Sequence, residues 1–187
     1  MNRIVPLMAV LLLTGSCAAA GDAVRAEKGA VRPPARPAID WDHPLAAAIR
    51  TDRAHARTAG HLRFVPVVPQ FAAAERAVEV TDPAVDDGQH GSVAFVYDLP
   101  PSDAFPAGGR VVVVEGPTDT TEADIPRIVA SNGAEHFHEV TVGGRQALLI
   151  EADGIGRVRI FRNGIVIDVT GPAVSPEAVV ALADAIG

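Results

Sequence analysis

The sequence predicts an α+β domain: a mostly antiparallel, curved sheet of about six or seven strands with an N-terminal and a C-terminal helix packed on it. Seven short apolar runs with β-type alternation lie between residues 76 and 170. Two turn signals, Gly143-Gly144 and Asn163-Gly164, join four of these runs into hairpins. Most neighbouring runs lack a crossover helix between them, which disfavours a parallel sheet.

The first predicted element is a helix that runs from His43-Pro44 to about Gly60. Proline suits a first helical turn, and a thin stripe of alanine, leucine and isoleucine follows at helical spacing. Residues 62–71 then combine Pro66 and Pro69 with apolar side chains, which predicts an extended segment packed against the core.

The predicted strands follow in chain order, with one short helix among them. The helix is expected over Glu122 to Asn132, where Pro126 limits how it begins. The strands are Arg76–Thr81, Ser92–Asp98, Arg110–Glu115, Glu135–Val142, Arg145–Ala152, Arg157–Arg162 and Ile165–Thr170.

The two hairpins have a predicted register. Asn163-Gly164 is typical of a two-residue type I′ turn, which pairs Arg159 with Asp168 on one face of the sheet. The turn at Gly143-Gly144 places His138 opposite Leu149 and His136 opposite Glu151.

The chain closes with a helix signal. Ser175 is a favourable N-cap, Pro176 fits the first helical position, and Glu177 favours the positive end of the helix dipole. An apolar stripe at helical spacing follows, which predicts packing on the sheet: Val179, Leu182, Ala183 and Ile186.

The N-terminus has the layout of a secretory signal peptide, with Arg3, an apolar run and small residues before Cys17. The cysteine directly after those small residues resembles the lipobox of bacterial lipoproteins, which implies acylation at Cys17 and cleavage just before it. An ordinary signal peptide cut near Ala18-Ala19-Ala20, which would release the protein, remains an alternative. The predicted organisation is a signal peptide over 1–16, a lipidated cysteine and disordered Pro-containing tether over 17–40, and one domain over 41–187.

Composition narrows the class of protein. The formal charge is −7, and residues 41–187 carry about −9, because Arg3 and the segment 22–40 each contribute +1. An acidic domain argues against nucleic-acid binding and against electrostatic attachment to anionic lipids.

Cys17 is the only cysteine, so acylation would leave the domain without disulfides or a thiol nucleophile. Arginine greatly outnumbers lysine, which occurs only at Lys28, and this bias is typical of GC-rich bacteria such as actinobacteria.

One candidate metal site appears in the pattern. Two imidazoles and a carboxylate can bind zinc or copper, and the hairpin register brings His136, His138 and Glu151 to one face. The alternative, which we favour, is that these are half-exposed sheet residues and that the protein has no metal. Motifs of hydrolases, P-loop proteins and zinc peptidases are absent from the sequence, so neither catalytic residues nor a cofactor are expected.

Several segments together are similar to a known family. Residues 140–187 contain VTVGGRQALLIEA, RVRIFRNGIVIDVTG and SPEAVVALADAIG, and HLRFVPVVPQFAAAERAVEV precedes VAFVY upstream. This resembles an uncharacterised bacterial domain found in envelope lipoproteins and in anti-sigma-factor-like membrane proteins, over about residues 45–187. Mycobacterial-type lipoproteins with a Mog1/PsbP-like sandwich are similar in outline. Neither resemblance implies catalytic residues.

These observations lead to one leading functional hypothesis. We expect a membrane-anchored, extracytoplasmic lipoprotein that acts as a non-enzymatic binding or interaction module for a protein or lipid ligand. The alternative is an envelope-sensing or signalling component that acts on a membrane partner. A metal-binding protein or a hydrolase ranks below both.

Overall fold

The computed structural model describes residues 40–45, 48–59, 62–67, 69, 71, 73–84, 91–103, 105, 107–152, 154–172 and 174–186, which belong to one compact unit. The predicted signal peptide, Cys17 and nearly all of the predicted tether lie outside these residues. Among the described helices, none has the length and apolar character that a membrane crossing requires.

Within the described ranges, eight antiparallel strands form one sheet, in the order β1-β2-β3-β4-β8-β7-β6-β5. The chain first builds β1 to β4 side by side, crosses to the far edge at β5, and returns by hairpins until β8 pairs with β4. The strands are β1 (Ala48–Thr51), β2 (Ala74–Thr81), β3 (Val93–Leu99), β4 (Gly109–Pro117), β5 (Phe137–Val142), β6 (Arg145–Ala152), β7 (Ile155–Arg162) and β8 (Ile165–Thr170). The helices are α1 (Arg53–Thr58), α2 (Ile125–Asn132), which follows a 3-10 turn at Glu122–Asp124, and α3 (Pro176–Asp184). The predicted antiparallel α+β architecture is confirmed.

The predicted N-terminal helix is wrong in extent, and the predicted strand count is too low. The stretch from Pro44 to Gly60 contains β1, which pairs with the edge of β2, and only then the six-residue helix α1. Asp52 sets the boundary, because its carboxylate accepts the backbone N–H groups of Ala54 and His55 as an N-cap. The thin apolar stripe that suggested a longer helix buries only Ala56 within α1. Hydrogen bonding to an otherwise open sheet edge outweighs so weak a helical pattern.

Both hairpin registers are confirmed. Arg162 pairs with Ile165 around the turn, and Arg159 pairs with Asp168. Asn163 and Gly164 have φ angles of 51° and 78°, the two positive values that a type I′ turn requires. In the other hairpin, His138 pairs with Leu149. These turns were readable from the sequence because their geometry depends on two adjacent residues.

Each face of the sheet is covered differently. The core face carries Phe95, Val113, Ile160 and Val169 and packs against α3, Ala56 and an extended segment of described residues 62–67, 69 and 71, here called the proline segment. The opposite face, here called the groove face, is covered at one end by α2, whose Ile125 packs with Leu148 and Phe161. The centre of the groove face lies between α2 and the residues that precede β1.

Candidate functional site

The predicted metal residues lie on one hairpin, but they do not form a three-ligand set. His138 Nε2 lies 3.6 Å from Glu151 Oε1, and both side chains are about two-fifths exposed. His136 lies in the turn before β5, where its carbonyl accepts the Glu151 N–H at 2.9 Å. Among the described residues, no group of three or more His, Cys, Asp or Glu side chains is arranged to hold a metal ion. The hairpin therefore offers an imidazole–carboxylate pair at the surface.

A groove of about 230 Å³ opens at the centre of the groove face. Its floor is made by β4 and β8, where Val112 pairs with Thr170 and Val114 pairs with Asp168. Arg157 of β7 lies beside Thr170 in the same cross-strand row. The wall of the groove is formed by Trp41 and Pro44, which precede the first strand. An apolar floor with an aromatic wall and few polar groups is typical of small-ligand sites.

The wall belongs to residues 41–44, here called the Trp41 loop, which an ion-pair network holds on the sheet. Asp42 Oδ1 accepts hydrogen bonds from Arg76 Nε and Arg110 Nη1, both at 2.9 Å. Asp98 contacts the same two guanidinium groups at 3.5 Å and 3.2 Å. The hydrogen bond from Arg76 lowers the pKa of Asp42, with the charges of Arg110 and Arg76 adding to the effect. The carboxylate therefore stays ionised and keeps the loop attached to three neighbouring strands.

A buried carboxylate anchors the same loop from below. Glu79 of β2 has a side chain only 1% exposed, and its Oε1 lies 2.8 Å from His43 Nδ1. Arg50 Nε is 3.9 Å from the same oxygen. Glu79 Oε2 is buried and has no hydrogen-bond partner among the described residues. Because buried carboxylates are costly unless paired, the contact with His43 ties the position of the Trp41 loop to the sheet.

The charged groups that line the groove are Arg157 and Asp168, and Arg159 lies next to them as the cross-strand partner of Asp168. Arg159 donates to both carboxylate oxygens of Asp168, with Nε–Oδ1 and Nη2–Oδ2 distances of 2.7 Å, and this hydrogen bonding raises the pKa of Arg159. Arg157 Nη1 lies 3.7 Å from Asp168 Oδ2, beyond hydrogen-bond distance. Among the described residues, the Arg157 guanidinium makes no hydrogen bond, so it keeps its donors at the groove.

A second unusual carboxyl group lies on the core face. Glu115 of β4 is fully buried, and its Oε2 accepts the Val67 N–H of the proline segment at 2.9 Å. Its Oε1 is buried and finds no hydrogen-bond partner within the part of the chain that the structure describes. Burial raises the pKa of Glu115 to about 8, and the Val67 N–H opposes that rise. The group is therefore largely protonated at neutral pH.

Tyr97 supports the same segment next to Glu115. It is fully buried, its hydroxyl donates to the Pro69 carbonyl at 3.3 Å, and Phe71 packs edge-on against its ring. Arg53 lies 5.7 Å from the ring centre and forms an ion pair with Glu75. Burial raises the pKa of Tyr97 to about 12, so the phenol remains a donor at all ordinary pH values.

Sequence reasoning missed both buried glutamates. A usable signal exists for Glu115, because it shares the strand parity of Val111 and Val113 and must point to the same face. Glu79 lies between the core residues Val78 and Val80 and therefore points to the opposite face, and only the position of His43 shows that this face is covered there. A glutamate inside a buried strand therefore predicts an unusual carboxyl group. The residue that contacts this carboxyl lies far away in the sequence, so the local pattern does not identify it.

Comparison with protein-family models, with curated proteins and with solved structures finds no match for this chain. The chemistry of the groove is therefore read from its own residues. The Thr170 hydroxyl donates to the Gly156 carbonyl at 3.0 Å, and Asp168 is held by Arg159. Because Thr170 and Asp168 are engaged in these contacts, Arg157 is the polar group of the groove best able to contact a ligand. The groove is therefore suited to binding.

Proposed function

We propose that the protein is a membrane-anchored, extracytoplasmic lipoprotein of the uncharacterised envelope type, and that its domain is a non-enzymatic binding module with the groove as its ligand site. The observation that carries the proposal is the groove itself, with Trp41 facing an apolar floor. Its volume of about 230 Å³ exceeds the ~150 Å³ cavity that accommodates benzene and falls below the ~300 Å³ of ordinary drug sites. The module therefore suits a small ligand better than a whole lipid.

The attachment of the Trp41 loop supports this function. The loop is held by the hydrogen bonds that Asp42 accepts from two arginines and by the contact of His43 with Glu79. A wall positioned before the ligand arrives lowers the entropic cost of binding. The loop therefore acts as a fixed part of the site.

Ligand binding is testable through intrinsic fluorescence, because Trp41 is the only tryptophan in the chain. We expect saturable changes in Trp41 emission when the purified full-length chain is titrated with small aromatic probes such as phenethyl alcohol and phenylacetate. Val114→Phe, which fills the floor, should abolish the change. Val65→Phe, at a position 75% exposed and outside the groove lining, should retain it. A linear response for every probe, or equal responses of the two variants, would refute the proposed site.

Membrane attachment is testable at Cys17. We expect Cys17→Ser to move the protein from the membrane fraction to the soluble fraction, because each buried acyl CH₂ contributes ~0.8 kcal/mol and nothing else in the proposal holds the acidic domain at the bilayer. Mass spectrometry of the wild-type N-terminus should show an acylated Cys17. A mature N-terminus at Ala18 or later would establish the released form, and retention of Cys17→Ser in washed membranes would exclude a lipid anchor.

The second candidate function, an envelope sensor acting on a membrane partner, is favoured by Glu115. Its pKa of about 8 lies close to physiological pH, and its hydrogen bond holds the proline segment. Protonation or ionisation of the Glu115 carboxyl would change its hydrogen bond with the Val67 N–H and so act directly on the proline segment. This candidate predicts that Glu115→Gln removes any pH dependence of partner binding. The groove proposal does not require the binding of a ligand to depend on Glu115.

A further inference from the structure

We infer that the groove takes a small organic acid, with its carboxylate on Arg157 and its apolar body between Trp41 and the valines of β4. The inference rests on the proposed function, because it names the ligand class for the same groove. It depends on the charges at the rim and on the volume of the site.

The rim has one more cationic group than its carboxylate can satisfy. Asp168 is the only carboxylate among the described residues that line the groove, and Arg159 occupies both of its oxygens. Arg157 lies 3.7 Å away and is 38% exposed, so its planar donors are open to a ligand. A guanidinium group matches a carboxylate through two parallel hydrogen bonds, which makes an acid the natural partner.

The neighbouring carboxylates do not reverse this preference. Asp42, which flanks Trp41, is hydrogen-bonded by Arg76 and Arg110. Glu79 is buried and contacts His43. A cationic ligand would therefore find no open carboxylate at the rim and would approach Arg157 at the cost of like-charge repulsion.

The apolar part and the volume limit the size of the acid. Val112 and Val114 form the floor and Trp41 the wall, so the body of the ligand is flat or branched hydrocarbon. About 230 Å³ accommodates one ring with a short acidic arm, whereas an extended peptide needs room on both sides. The occupant is therefore a free small acid.

The test compares three probes of one shape: phenylacetate, phenethyl alcohol and phenethylamine, each titrated into the full-length chain with Trp41 emission as the readout. We expect the acid to bind at least about tenfold more tightly than the alcohol, because a hydrogen bond to a charged group exceeds a neutral one by about this factor. The amine should bind most weakly. Arg157→Gln should remove the advantage of the acid and leave the alcohol unchanged, with Arg157→Lys between the two.

Arg162→Gln is the matched control, because Arg162 lies on the same strand outside the groove lining and should change nothing. Thermal unfolding of each variant shows that it is folded. Equal affinities for acid and alcohol would overturn the inference and leave the proposed groove intact, whereas no binding of any probe would overturn both. Tenfold tighter binding of Gly-Gly-Phe than of phenylacetate would assign the groove to a peptide C-terminus and also overturn the inference.

Discussion

The free energy of unfolding should fall as the pH rises from about 4.5 to about 8, and Glu115→Gln should remove most of that fall. The Glu115 carboxyl is fully buried, and burial raises its pKa from 4.5 to about 8. In the unfolded chain the group ionises at the lower value, so the folded state holds a proton that the unfolded state has lost. At about 1.4 kcal/mol for each pH unit, the loss across this window is roughly 5 kcal/mol.

The direction of this effect separates it from the surface carboxylates. Stability from Glu115 is fully present below pH 4.5 and is lost as the pH rises through about 8. Hydrogen bonds lower the pKa of the Asp42 and Asp124 carboxyls. The stability that these two groups contribute is therefore lost only as the pH falls below the ordinary carboxyl range. The two windows do not overlap.

Urea denaturation between pH 5 and pH 8.5, followed by far-ultraviolet circular dichroism, measures the slope. Glu115→Gln keeps the shape of the side chain and an acceptor for Val67, and it should be more stable than the wild type at pH 8.5. Glu139→Gln, at an exposed position of β5, is the matched control and should keep the wild-type slope. A wild-type profile that is flat over this range would show that Glu115 is not held protonated. Glu115→Leu gives a second, nontitrating variant should the glutamine fail to fold.

The second large effect is expected at Asp168. Asp168→Ala should destabilise the fold by about 2 kcal/mol, because it leaves the partly buried Arg159 without its two short hydrogen bonds beside Arg157. The double variant Arg159→Met/Asp168→Leu should recover most of that loss, since apolar side chains of similar size replace the ion pair without leaving a charge.

The measurement is a double-mutant cycle by urea denaturation at pH 6.5, with Arg159→Met and Asp168→Leu as its single variants and Asp168→Ala measured beside them. Arg127→Ala is a useful control, because it removes the ion pair of the largely exposed Arg127 with Asp124 and leaves the hydrogen bonds of Asp124 with Thr121 in place. An exposed pair of this kind contributes less than ~1 kcal/mol. A loss for Asp168→Ala no larger than that for Arg127→Ala, or single losses that simply add in the double variant, would contradict the assigned role of the pair.

Most strands were predictable because their signals are local. The period-two pattern identified β2 to β8 to within about two residues at each end, a scatter expected at strand boundaries. Asn163-Gly164 determined its hairpin register through two positive φ angles, and Ser175 with Pro176 set the start of α3. The error at β1 has the opposite origin. Residues 48–51 are a strand because β2 offers them hydrogen bonds, and that contact has no counterpart in their own pattern.

The local elements of this protein, its two hairpin registers, its acidic charge and the prediction of an anchor at Cys17 all follow from neighbouring residues in the sequence. The groove does not. It requires β4 to pair with β8, which brings Val112 and Val114 next to the row of Arg157, and it requires the Trp41 loop to bind Glu79 and Arg76. These contacts join distant parts of the chain, and their stability depends on burial and on paired charge. Only the folded sheet therefore reveals an apolar site with an open guanidinium group.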